Sequence, residues 1–187
     1  MSCACAHPTA DSPCSPFVSA PEVWLRGAVP GVPPLLQPVA HSLLQCREEM
    51  AVLLPSLSSE EIAARPGGAA SAGYHARHAI GSIDRLLTYA RGEALSAAQM
   101  QVLAAEKTED LEDGAGMRLL ARYDAVIEGA LKQIRETSEG TLLEARAVGR
   151  NRLPSTVLGL LVHVADHTQR HAGQLATTAK VVRARSL

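Results

Sequence analysis

Three histidines, His163, His167 and His171, stand four residues apart in the segment from Leu160 to Leu175. Positions four apart on an α-helix are rotated by only about 40°, so the imidazoles share one stripe. Two of them at i and i+4 can grip a divalent ion across a single turn without backbone strain. The spacing by itself leaves open whether the pair is His163 with His167 or His167 with His171. A second pair, His75 and His78, lies far upstream in another segment of helical pattern. His78 is the natural third donor, because bundle sites are assembled from inward side chains on neighbouring helices. Three neutral imidazoles leave coordination positions for water or substrate, which suits a catalytic site better than a sealed structural one.

The elements that must hold these residues follow from composition. The chain has 187 residues, 47% of them hydrophobic and only 3% aromatic. That is enough for one domain, with a core of Leu, Ala, Val and Ile that favours packed helices over sheets. The formal charge of −1 is spread over interspersed acidic and basic residues, which speaks against a nucleic-acid surface. No segment has ~18 uninterrupted apolar residues, and the start lacks the basic region and apolar run of a secretory signal. No membrane association and a cytoplasmic location are therefore expected. Cys3, Cys5 and Cys14 sit in a Pro-, Ser- and Ala-rich stretch and only Cys46 falls in a helical pattern, so there is no disulfide framework.

Residues 1–32 carry five scattered prolines without helical periodicity and read as a flexible arm that drapes over the domain. Its Cys3-Ala-Cys5 with His7 offers ligands for a soft metal, but gathering them from mobile backbone costs much ordering entropy, so the stretch reads first as a solvated tail. Residues 33–187 read as the bundle. Long helices are expected from Pro33 or Pro34 to about Leu54, from Ser71 to Arg91, from Gly116 to Thr137, and from Pro154 to about Val182. Ser58 with Glu61 and Ser96 with Gln99 offer capping boxes for short helices between them. No strand is expected. The link from Ser138 to Leu153, with Arg146, Arg150 and Arg152, reads first as an exposed basic connector and second as a candidate lid that would bring positive charge over the site.

The stretch His167-Thr-Gln-Arg-His171-Ala-Gly173-Gln174-Leu175 resembles the closing motif of the DinB-like (DinB/YfiT) family of metal-dependent proteins. The segment from Gly73 through His78 to Leu87 is similar to that family's second helix, whose histidine supplies the remaining ligand. The likeness spans residues 33 to 182 and implies an all-α four-helix bundle with a short extra helix. It also implies that His78, His167 and His171 form the metal triad. His163 and His75 then fall about a turn away, as proton shuttles or partners of a bound substrate.

Family members include transferases and isomerases that act on low-molecular-weight thiols, and many form dimers through helix packing. The resemblance therefore implies a divalent ion, Zn²⁺ or Ni²⁺ first with Fe²⁺ or Mn²⁺ as further options, a small-molecule thiol as partner, and a homodimer. The expected function is that of a metal-dependent hydrolase or thiol-dependent transferase. Arg77, Arg85 and Arg170 are candidate anchors for a carboxylate on the thiol or substrate. His41 is a candidate for the pocket mouth or a polar surface position, whereas Asp166 reads as a solvated or interface carboxylate and Asp84 as a partner of Arg85 or a neighbouring helix. The alternative is a non-catalytic stress-response or binding protein in which the metal staples two helices. A third reading is a metal-free bundle with a polar seam.

Overall fold

The computed structural model describes residues 21–185. In chain order its helices are α1 (Gln37–Leu53), α2 (Ser59–Ala63), α3 (Ala72–Ala90), α4 (Ala97–Ala105), α5 (Ala115–Glu136) and α6 (Val157–Arg185). The long ones, α1, α3, α5 and α6, form the all-α bundle that the apolar periodicity predicts. No helix among the described residues is long and apolar enough to cross a membrane.

The helix starts follow the caps. Ser58 and Glu61 bond reciprocally at the head of α2, as do Ser96 and Gln99 at α4, each pair satisfying two backbone N–H groups that a helix start leaves free. Ser71 Oγ accepts the Tyr74 N–H at 3.0 Å and fixes the start of α3.

Around the bundle, α6 packs between α1 and α3, and α5 packs between the same two on the other side. Contacts of His75 with His171 and of His78 with His167 make α3 and α6 antiparallel. Arg47 on Asp124, with Gly116 against Leu54, makes α1 and α5 antiparallel. Ile62 touches both Gly73 and Gly116 near the starts of α3 and α5, while Gln133 of α5 donates to Leu87 O near the end of α3, so these two neighbours run parallel. Parallel neighbours cannot be joined by a tight turn, so residues 91–114 return along the bundle to begin α5. That crossover carries α4, none of whose residues is buried, and delivers the segment after it to the N-terminal half of α3.

Leu36, Leu43, Met50, Ile83, Tyr123, Ile127, Leu161 and Leu175 fill the core. At Gly116 a Cβ would lie 2.1 Å from the Leu54 carbonyl oxygen. The backbones approach so closely there that only glycine fits.

Two expectations are corrected. The link before α6 contains a hairpin, β1 (Ala145–Val148) paired antiparallel with β2 (Leu153–Thr156), with Ala145 opposite Thr156 and Val148 opposite Leu153. Pro154 therefore lies in a strand rather than opening the last helix, which starts at Val157. There Thr156 Oγ1 accepts the Gly159 N–H at 3.0 Å, the bond of an N-cap. From residue 21 on the arm is bonded to the bundle. Val23 N–H bonds Gln45 Oε1 at 3.0 Å, the Gln37 amide clamps Val29 and Val32, and Arg26 pairs with Glu48, so this segment lies along α1. Cys3, Cys5, His7 and Cys14 lie outside the described residues.

Candidate metal centre

The antiparallel contact of α3 with α6 brings His78, His167 and His171 together, one nitrogen from each lying within 4.8 Å of the others. The His78 and His167 Nε2 atoms are 3.1 Å apart. Two nitrogens bound at about 2.0–2.1 Å in tetrahedral geometry would be about 3.3 Å apart, so the separation suits a shared ion. His163 is excluded from the triad by register, since one turn beyond His78 the facing helix carries Ser82 rather than an imidazole.

Each ligand's far nitrogen has a distinct environment. His78 Nδ1 donates to Glu106 Oε2 at 2.7 Å, which fixes its tautomer and leaves the Nε2 lone pair free. Glu106 is 4% exposed and its other oxygen accepts from Arg85 Nη1. Gly81 makes room for this pair, since a Cβ there would sit 2.3 Å from Glu106 Oε1. His171 Nδ1 lies 3.1 Å from His75 Nδ1, so with His171 as donor its Nε2 is available. His167 Nδ1 is buried with no partner among the described residues.

Burial favours the neutral form of His167 and His171. It pushes His167 down to about 4 and His171 down to about 3, with the neighbouring imidazoles adding to the effect. His75 is lowered as well, first by burial and then by His78. Neutral imidazole is the form that ligates, and a three-nitrogen set suits Zn²⁺, Ni²⁺ or Fe²⁺ better than a hard ion. The residues present fit a divalent metal.

The other candidates scatter. His163 is exposed, with Nδ1 2.9 Å from Asp166 Oδ1 and its ring centroid 5.3 Å from that of His167. Asp166 is thus engaged rather than merely solvated, and Arg170 approaches its other oxygen at 3.5 Å. Arg170 and His75 line an open cleft of about 650 Å³ with Gln174, Thr177 and Thr178. Arg77 and Arg85 are not substrate anchors in this geometry. Arg77 donates to Glu106 O at 2.9 Å and to Glu109 Oε2 at 2.7 Å, and Arg85 is taken by Glu106. Asp84 accepts from Gln99 of α4 at 2.8 Å, the neighbouring-helix option. His41 Nε2 bonds Gly27 O at 2.9 Å and lines a cleft on the α1 side with Gln169, apart from the triad.

The lid is also corrected. Arg146 Nε donates to Ala90 O at 2.8 Å, and Ala90 lies twelve residues beyond His78 on α3, about 18 Å along the axis. The hairpin closes the opposite end of the bundle.

Sequence reading missed Glu106. Its signal was indirect: α3 buries Arg77 and Arg85 and includes Gly73 and Gly81, and buried guanidiniums require carboxylates from elsewhere. Among curated proteins none matches the chain. A family model described as the DinB superfamily matches residues 42–175, a span that holds the triad, His75 and Glu106.

Proposed function

The chain belongs to the DinB superfamily, and on that premise we propose that it is a divalent-metal-dependent enzyme that makes a nucleophile of a low-molecular-weight thiol, or of water, near neutral pH. The reaction is a transfer, isomerisation or hydrolysis. The observation that carries this reading is that the ligand group among the described residues consists of three imidazoles only, one short of a tetrahedral shell. Bound there, Zn²⁺ or Ni²⁺, with Fe²⁺ or Mn²⁺ as further options, would supply the Lewis acidity that lowers the pKa of a thiol or water.

The chain's own residues do the rest. Glu106 holds His78 with its Nε2 lone pair toward the other ligands. His75 supports His171 and forms the inner wall of the cleft, so a ligand there meets the triad by way of His75. Arg170, on the cleft wall, presents a guanidinium to a substrate carboxylate. His163, held through Nδ1 by Asp166, keeps Nε2 free to take the released proton.

The test is elemental analysis of untagged protein beside His78→Ala and His167→Ala. Near one equivalent in wild type, lost in both variants, supports the site, and metal indifferent to both substitutions removes it. A Co²⁺-substituted sample then separates an enzyme from a stapled bundle. Thiols or azide shift its visible bands if a position is open, and leave them unchanged if the protein saturates the metal.

A further inference from the structure

The chain's only tryptophan, Trp24, stays out of the core. It stands 60% exposed in the turn Val23–Leu25 and lines a cleft of about 550 Å³ between that turn, α1 and α6. A large indole ordinarily gains most by burial, yet here its place is fixed by polar bonds. Val23 N–H bonds Gln45 Oε1, and Trp24 Nε1 donates to Glu22 Oε2 at 2.6 Å. That pins the indole edge, while no other ring or cation among the described residues stacks on its faces.

The charges around this cleft do not cancel. Glu22 and Glu49 both line it, and neither has an ion pair among the described residues. One oxygen of each is engaged, Glu22 Oε2 by Trp24 and Glu49 Oε1 by the Gln45 amide at 3.0 Å, which leaves Glu22 Oε1 and Glu49 Oε2 without a donor. Arg26, beside the turn, is spent on Glu48 through both Nη atoms. Glu22, Glu48 and Glu49 thus face one guanidinium, an excess of two negative charges. Residues 1–20 carry no Lys or Arg, so that stretch has no side chain of permanent positive charge to offset it.

We propose that this cleft binds a small organic cation, a primary ammonium on a short aliphatic chain, with its charge against Glu22 and Glu49 and its chain beside the Trp24 indole. An ammonium brings three donors and no acceptor, which matches the two free carboxylate oxygens. A cation near an indole face is also attracted by the ring's quadrupole. The volume falls in the range of small-molecule sites. The cleft shares no residue with the triad or with the cleft beside His75.

Because the chain has one tryptophan, tryptophan-selective fluorescence reports on this cleft alone. In the metal-loaded full chain, n-pentylammonium chloride added at fixed ionic strength should change the Trp24 emission saturably. Glu22→Gln and Glu49→Gln keep the oxygens that accept from Trp24 and Gln45. Each should raise the half-saturation concentration about tenfold or more, the loss of one charge-assisted hydrogen bond, with metal content and thermal midpoint unchanged. An unchanged wild-type emission overturns the proposal. So does an equal response to sodium chloride, which is screening, to n-pentanol, which is apolar contact, or to tetramethylammonium, which has no N–H to donate. A pentylammonium response that persists in both glutamine variants overturns it as well, since the amine then acts elsewhere on the protein.

Discussion

Glu106→Gln tests whether the carboxylate supports the triad. Glu106 is nearly fully buried, with one oxygen 2.7 Å from His78 Nδ1 and the other on Arg85. Glutamine keeps the volume but offers only one acceptor oxygen to these two donors, so either His78 or Arg85 must face an NH₂ group. Loss of a carboxylate that orients a histidine ligand costs 10–100-fold in metal affinity, about 1.4–2.7 kcal/mol. Global stability should fall by about 1–3 kcal/mol for the unmatched buried donor. Alanine would strand the Arg85 charge and cost about 3–5 kcal/mol of folding, so glutamine is the cleaner probe. Competition titration against a chromophoric chelator reads the affinity, and urea denaturation reads the fold. Gly81→Ala gives an independent approach, because its methyl would occupy space held by Glu106 Oε1 and should weaken metal binding in the same direction. Wild-type affinity in both folded variants would refute the assignment of Glu106.

Metal-free protein should lose stability as the pH falls below about 6.5. His167 and His171 are held down to about 4 and about 3 in the folded chain, so the unfolded chain binds protons that the folded one refuses. The stability is complete above the unfolded value and falls by up to about 1.4 kcal/mol per pH unit per histidine, levelling off below about 3. Urea midpoints at pH 7.5 and 5.0 check this, and a double His167→Ala, His171→Ala variant with an unchanged pH slope would defeat it. Gly116→Ala should destabilise by about 3 kcal/mol or more, because a Cβ 2.1 Å from a backbone oxygen forces α1 and α5 apart; an unaltered thermal midpoint would contradict the packing. Cys46, buried with its thiol pushed up to about 12, chiefly by burial, should resist thiol reagents until the chain unfolds, and rapid labelling of the native protein at Cys46 by mass spectrometry would show otherwise.

The bundle was legible because Leu, Val, Ile and Ala recur at helical spacing and Ser58 and Ser96 announce their helices. The histidine cluster was legible for a similar reason: the spacing put His163, His167 and His171 on one stripe, and the resemblance selected two of them as candidate ligands. What escaped depended on packing between distant segments. The crossover sets Glu106 beside His78, 28 residues away in the chain, and no local pattern encodes that return. The hairpin strands are four residues each, too short for an alternating signal, and Pro154 imitates a helix start. Residues 21–32 lack periodicity because side chains of α1, chiefly Gln37 and Gln45, satisfy their backbone from outside.

The two connections flanking α5 tolerate length changes very differently. One residue inserted in α4 turns everything after it by about 100° and carries the Glu106 carboxylate away from His78, so this stretch is fixed in length although its surface is bare. The turn at 149–152, where Gly149 and Arg152 adopt positive φ, is far from the triad and, among the described residues, bonds within its own hairpin. Extra residues there leave the histidines in register, making that turn the place to graft a label, a tether or a reporter onto an otherwise undisturbed protein.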